Sequence, residues 1–373
     1  MARRRTEPWN LVSQFRWTCL VTYAMNRARP DPFIKPGAAA QGISLQTVTD
    51  VPPQAQTDST CTDEPRHIRP PSAWGLLHEQ LAAQIARKDV RKAFRLGWRF
   101  VRSPIATLRW LGELERIRTI CRLEKIPYDV VRKSGQRYLH HSLPQAAKHN
   151  LLTTHYDHLL ASLGTPFVAS VLREQPTVLV ELKGKQDALY RISLSLNFLN
   201  FREGELSVDL FRVEGNVRVA SLSLVAGAMK PGAPPSLWIG GLQGASRADS
   251  KAITVLATKE LFGLRPKDAV VHAAYALAER LGTADLMAIS NAGHFRHGLW
   301  QKKTGWYADY DSFWEELGGV RVAGDFFLLP KIRPRRSIEE VAPAKRSAWR
   351  ARYALVDQIN ADIQHLVRCA PRA

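Results

Sequence analysis

The chain is poor in cysteine, in acidic residues and in long apolar runs, and each shortage removes a class of protein. Its four cysteines, Cys19, Cys61, Cys121 and Cys369, are scattered without a C-x-x-C pair. That spacing offers neither a zinc knuckle nor a disulfide framework, and points to a reducing compartment. No uncharged run reaches the roughly 20 apolar residues needed to cross a bilayer, so no transmembrane helix is expected. After Arg3, Arg4 and Arg5 comes a short, interrupted apolar run, Trp17 to Met25, with no small-residue cleavage site. This is poor grammar for a secretion signal, and a cytoplasmic location is expected. Acidic residues number 34 against 53 Lys and Arg, a formal charge of +19. Such an excess draws a protein to anionic surfaces: lipid head groups, nucleic acid or anionic cofactors. No recognition helix, zinc finger or RNP-type motif accompanies it, so nucleic acid is not the expected partner.

The 373 residues, 45% of them hydrophobic, suffice for one large or two small domains. Pro30, Pro32, Pro36, Pro52, Pro53, Pro65, Pro70 and Pro71 crowd a segment with little apolar periodicity. Residues 1–72 therefore read as a disordered extension. From Ala73 to about Arg102 the pattern is helical, with Val90, Phe94, Gly97, Trp98 and Val101 on one stripe and Arg87, Lys88, Arg91, Lys92, Arg95, Arg99 and Arg102 on the next. Ser103-Pro104 reads as a cap and first turn of a second helix ending at Cys121. The basic stripe has two readings. One is a solvated helix face. The other is an interfacial helix on anionic lipid, with Arg91, Arg95, Arg99 and Trp98 as its contacts.

A helix around 144–163 closes this basic helical region, 73–165. Period-two patterning then marks strands at Thr177–Leu182, Leu189–Phe198, Leu206–Val213 and Val217–Val225, separated by glycine-bearing turns. Leu237–Gly244 is a further strand, helices follow at 249–262 and 266–281, and Ala284–Ser290 is a short buried strand. Strand, helical crossover and strand make a parallel pair. The expected fold of 166–373 is thus α/β in the α+β sense: a mixed, mostly antiparallel sheet with one parallel unit, closed by a helix over 343–366.

The stretch AISNAGHFRHG, 288–298, leaves the carboxyl end of that last parallel strand, where open α/β sheets bind ligands. Asn291 and His294 are its candidate site residues; turn-forming Asn and structural His explain them equally well. His294 and His297, or His155, Asp157 and His158, lack a third and fourth ligand at recognisable spacing, so no metal site is expected. Gly240-Gly241 within a strand marks a bulge, or the close approach of another backbone or a ligand. Gln243 to Arg247 leads to a helix start, where amides and Arg247 suit a phosphate. Tyr310, Phe313 and Trp314 fit the apolar face of a short helix, and His272 reads as an interior histidine.

IGGLQG at 239–244, ATKELFGLRPKD at 257–268, AISNAGH at 288–294 and YDSFWEELGG at 310–319 resemble the VirK/YbjX family over about residues 75–362. The resemblance implies a bacterial protein of unknown biochemical activity, associated with virulence and with envelope integrity against cationic peptides. The element order also resembles, more distantly, the GCN5-related N-acyltransferase fold. That likeness implies acyl-CoA held by Gly240, Gly241, Gln243, Gly244, Ser246 and Arg247, although the usual Q/R-x-x-G-x-G/A signature is absent. It further implies His294 or Glu181 as base, Tyr310 as acid and Asn291 orienting a small-molecule or lipid-precursor substrate. The alternative reading rests on the basic helix itself: a non-catalytic regulatory or envelope-associated protein that binds an anionic membrane surface through it.

Overall fold

Alternation of period two builds a four-strand meander in the computed structural model, which describes residues 72–245, 249–298 and 309–366. Strands β1 (Thr177–Lys183), β2 (Leu189–Leu196), β3 (Leu206–Arg212) and β4 (Val217–Gly227) pair antiparallel in sequence order. β5 (Ser236–Gly244) continues the meander, then pairs parallel with β6 (Leu286–Ile289) over Leu237–Ile239 and Leu286–Ala288. A hairpin of β7 (Val320–Val322) and β8 (Phe326–Leu329) completes a sheet of order β1-β2-β3-β4-β5-β6-β8-β7. This is the mixed, mostly antiparallel sheet with one parallel unit that the patterning predicts. The hairpin escaped the sequence reading because strands of three and four residues are too short to display alternation.

Five α-helices precede the sheet among the described residues. α1 (Ala73–Ala86) and α2 (Val90–Arg102) replace the single helix expected over 73–102. The break is local chemistry: Lys88 is left-handed (φ 57°), and the Asp89 carboxylate accepts from Lys92 N at 3.2 Å, capping a new start. α3 (Pro104–Ile120) follows with Pro104 at its first position. After a four-residue helix, α4 (Tyr128–Val131), the long α5 (Gln145–Leu172) bends at Gly164 (φ 78°) and runs past the boundary placed at 165. α5 packs on β4 and joins the helical layer to the sheet through α3.

The crossover from β5 to β6 contains α6 (Ser250–Glu260) and α7 (Pro266–Leu281), the latter ended by left-handed Gly282 (φ 64°). α7 packs on β3, β4 and β5, and α8 (Tyr310–Glu316) follows β6. The last helix, α9 (Arg346–Leu366), lies against α7 and β1. One contiguous core runs through these layers, from Leu76 to Ile363. Among the described residues no helix is long and apolar enough to cross a membrane. The expectations for residues 1–71, and for Ser246 and Arg247, lie outside the described residues.

β5 carries the sharpest steric constraint. Its register with β4 shifts between Ser223–Gly241 and Leu224–Ile239, which makes Gly240 the extra residue of a bulge. A Cβ on Gly240 would lie 2.7 Å from both the Glu203 carbonyl carbon and Leu139 Cδ1. Gly240→Ala should therefore destabilise the protein by about 3 kcal/mol through overpacking. Gly97→Ala in α2, where the added methyl meets nothing within 4 Å, should stabilise by about 1 kcal/mol. Urea unfolding of the two variants checks this; equal effects would mean that the bulge is not sterically closed.

Candidate functional site

The glycine pair of β5 receives another backbone, and that backbone is the β2–β3 connection. Asn197 accepts from Asn200 N at 3.0 Å and its own N–H donates to Glu205 O at 2.8 Å, folding 197–205 into a tight loop. The loop lays the Glu203 carbonyl over Gly240 and its carboxylate against Gly241, where a Cβ would lie 2.6 Å from the carboxyl carbon. Ser223 Oγ donates to Glu203 Oε2 at 3.1 Å, and His294 Nε2 lies 3.4 Å from Glu203 Oε1. Glu203, Ser223 and His294 are all buried.

Tyr310 fills the space beside them, its ring 5.8 Å from that of His294. Leu242 N and Gln243 Nε2 each approach the Tyr310 hydroxyl at 3.4 Å. Burial, reinforced by the neighbouring Glu203 carboxylate, pushes the Tyr310 phenol far above its ordinary value, so it is held as a proton donor. Chemically the cluster pairs a carboxylate, an imidazole, a hydroxyl and a neutral phenol, the components of proton transfer. The bulge also ends the β5–β6 pairing: beyond Ile239 and Ala288 the two strands are no longer partners.

The sequence candidates fall into three sets. His294, Tyr310, Gly240, Gly241 and Gln243 come together in this cluster, with Gly244 at the end of the same strand. Asn291 lies beside it but spends its side chain on the loop, donating to Asp309 Oδ1 at 3.1 Å and accepting from Tyr310 N at 2.9 Å. Asn291 thereby ties the end of β6 to the start of α8. Glu181 is not brought to the cleft. It is exposed on β1, four strands from β5 and so roughly 20 Å away at ~4.8 Å per strand. Alternation places it outward on an edge strand, which sequence alone could not relate to β5.

The histidine pairs separate as well. His297 meets His141 edge-on at 5.2 Å, Asp157 pairs with Arg116, and His155 Nδ1 meets the Ala226 backbone. Among the described residues no group of three or more His, Cys, Asp or Glu is arranged to hold a metal. Phe313 and Trp314 belong to the apolar packing of α8, with Trp314 Nε1 donating to Ile289 O at 2.9 Å. His272 is half-buried against Arg333, whose Nη1 lies 3.0 Å from its Nε2.

Sequence reasoning missed Glu203, because Arg202-Glu203-Gly204 reads as turn chemistry. The signal that could have found it is Gly240-Gly241, which demands an approaching chain. It also missed a second buried cluster. Lys133 Nζ lies 2.6 Å from Glu205 Oε1, and Tyr156 donates to Glu205 Oε2 at 2.7 Å. Burial opposes ionisation of Glu205, but Lys133, His155 and Tyr156 outweigh it and hold the carboxyl below its usual value.

A different surface is formed by α2. Its inward face is Ala93, Leu96 and the half-buried Phe100, whose ring meets that of Trp74 in α1 at 5.2 Å. The apolar stripe is on the outside: Val90, Phe94, Trp98 and Val101 are 66%, 58%, 57% and 70% exposed, and the Phe94 and Trp98 rings stack at 6.5 Å. Arg91, Arg95 and Arg102 are exposed on the adjoining stripe, whereas Arg99 turns inward to lie over Gly135.

The family described as "Protein of unknown function (DUF535)" matches residues 86–365. A relative in Escherichia coli K12, "Uncharacterized protein YbjX", is 28% identical over 288 residues, 76% of this chain and 84% of its own length. An "Uncharacterized protein" of Haemophilus influenzae Rd is 31% identical over 204 residues, 55% of this chain and 66% of its own. No solved structure matches.

His155, beside the Lys133–Glu205 pair, gives this interior a pH signature. Burial pulls its pKa down to about 4, against about 6.5 in the unfolded chain. Below pH 6.5 the unfolded chain takes up a proton that the native state refuses, so stability is complete above 6.5 and lost as pH falls towards 4. Between pH 7.5 and 5.0 this contributes a loss of about 2 kcal/mol. Urea unfolding at the two pH values should show a loss smaller by that amount in His155→Gln. Equal losses in the variant and the wild type would contradict the assignment.

Proposed function

The chain belongs to the DUF535 family, and from that premise we propose that it docks on an anionic membrane surface through the aromatic and basic faces of α2. The observation that carries this is the outward apolar stripe Val90–Phe94–Trp98–Val101 beside Arg91, Arg95 and Arg102, on a helix whose inward face is Ala93, Leu96 and Phe100. An amphipathic helix of this kind buries its apolar side chains at the headgroup boundary while its arginines meet lipid phosphates. Contiguous exposed aromatic and aliphatic residues are costly in water unless a surface covers them. The formal charge of +19 complements an anionic bilayer. The VirK/YbjX association with envelope integrity supports the cytoplasmic side of the bacterial inner membrane as the place.

Sedimentation of the full chain with vesicles tests the reading. Phosphatidylcholine vesicles containing phosphatidylglycerol should pull the protein down, and pure phosphatidylcholine should not. Binding should weaken as salt is raised from 0.1 to 0.5 M. Phe94→Ser with Trp98→Ser should weaken it at least tenfold, since each lost apolar contact removes about 1.5 kcal/mol or more. Reversing Arg91 and Arg95 to Glu should weaken it about a hundredfold or more, at roughly 1 kcal/mol per charge. Undiminished binding by the folded Phe94/Trp98 variant would remove α2 as the contact.

One observation favours a second reading, an acyl-CoA-dependent acyltransferase acting on a lipid precursor. β5 and β6 part at the Gly240 bulge, and Glu203, His294 and Tyr310 gather where they part. In this reading Glu203 and His294 remove a proton from the acceptor while Tyr310 protonates the leaving thiolate. Coenzyme A or acetyl-CoA at a hundredfold excess over its Kd should then stabilise the protein by about 2.7 kcal/mol. No shift in Tm with coenzyme A, acetyl-CoA or a long-chain acyl-CoA would set this reading aside and leave the docking reading untouched.

A further inference from the structure

Behind the basic stripe of α2 three other segments converge, and they bring arginines. The Arg99 stem lies over Gly135, close enough that a Cβ there would fall 2.8 Å from Arg99 Cγ. From the turn after α4, Arg132 stacks its guanidinium 3.8 Å above the Phe201 ring. Arg202, on the β2–β3 loop, places its own guanidinium 5.6 Å from the centre of the same ring. Arg296, from the loop after β6, lies over Phe295, and so does Arg202, at 5.4 and 5.9 Å. Beneath them Lys148 Nζ donates to Gln136 O at 2.8 Å, and Arg202 Nε donates to Gln136 Oε1 at 2.8 Å.

This concentration of like charge is not neutralised from within. Asp129 pairs with Arg132; among the described residues no ion pair ties Arg99, Arg202 or Arg296 to a carboxylate. The strain registers on the cations. Burial, then Arg132, Arg99, Arg296 and Arg95 in that order, pull Arg202 down to about 10. Burial and Arg99 pull Lys148 down to about 8. Donors are also left over: Arg99 Nη1, Arg132 Nε and Gln136 Nε2 are buried without an acceptor. Unmet cationic donors in a partly buried place cost free energy that an anion with several oxygens would recover. Planar guanidinium forks favour phosphate in particular, because two N–H groups can reach two of its oxygens.

We infer that Arg99, Arg132 and Arg202, at the inner edge of α2, form a binding site for a phosphomonoester dianion. The inference deepens the docking reading, and rests on it where the phosphate is a lipid headgroup: the apolar stripe seats the helix and the arginines behind it select the headgroup. A free phosphate compound would offer the same chemistry, and the test separates the two sources. Arg132 would keep Asp129 on one arm and offer Nε to the anion. Arg99 and Arg202 would close from either side, and Arg95 and Arg296 would add long-range attraction.

The test compares vesicles containing phosphatidic acid, a phosphomonoester, with phosphatidylglycerol vesicles matched for surface potential. The wild-type chain should bind phosphatidic acid about tenfold more tightly, and Arg99→Gln with Arg202→Gln should lose that preference while still binding phosphatidylglycerol. Inorganic pyrophosphate supplies the soluble arm: a rise in wild-type Tm that the double variant lacks would assign the site to free phosphates as well. No rise, with the vesicle preference present, would assign it to lipid. If the double variant fails to fold by circular dichroism, Arg202→Lys, which keeps the charge and loses the fork, should still lose most of the preference. Equal binding of both vesicles by the wild type, without a pyrophosphate shift, would overturn the site and leave docking intact. Preference retained in the folded variants would overturn it too. Binding to neither vesicle would defeat the docking reading, and the pyrophosphate arm would then decide the site alone.

Discussion

The seating of the loop 197–205 on the Gly240–Gly241 bulge is the contact on which the other features depend. Four consecutive residues of that loop face different surroundings. Arg202 joins the arginines behind α2, Glu203 lies against Gly241 with Ser223 and His294, and Glu205 takes Lys133 and Tyr156. Gly204 between them passes so close to Leu224 that a Cβ would lie 2.7 Å from its carbonyl carbon. Two carboxylates two residues apart are thus buried in separate clusters, each with its own partners. Removing a single partner from such a cluster strands a charge in low dielectric and costs several kcal/mol. The loop is therefore fixed, and with it the spacing between the sheet and the helical layer.

The exposure of α2 is set by which of its faces packs on α1 and α3. A helix that packed its apolar stripe inward would bring Phe94 and Trp98 against α1 and α3. Instead Ala93, Leu96 and Phe100 make the inward contact, while Arg99 is held over Gly135 by the segment that also carries Arg132 and Lys133. The aromatic stripe is left on the outside with arginines beside it. The proposed membrane docking and phosphate selection draw on one arrangement: Ala93, Leu96 and Phe100 inward, Phe94 and Trp98 outward, arginines at the seam.

Much of the fold was legible in the sequence because the signals were local. Ile192, Leu194 and Leu196 alternate with Arg191, Ser193 and Ser195, and β2 appears where they do. Gly282 ends α7 as a left-handed cap, and Gly240-Gly241 marks the bulge. The α2 stripes were legible too, though their direction was not. Periodicity shows that Phe94 and Trp98 share a face without showing that Ala93 and Leu96 win the contact. What sequence could not show is convergence. Glu203 reaches His294 and Ser223 from distant strands, and Arg99, Arg132 and Arg202 meet from three separate segments. Glu181 failed for the same reason: its chemistry suited a base, but its strand lies at the far edge.

The most direct test of membrane docking is the depth reached by Trp98. The difference in fluorescence between wild type and Trp98→Phe isolates that indole from the nine other tryptophans. In anionic vesicles with brominated acyl chains the account predicts that this difference signal is quenched, because Trp98 enters the acyl boundary. An unquenched signal from vesicle-bound protein would place Trp98 in water and contradict docking through α2.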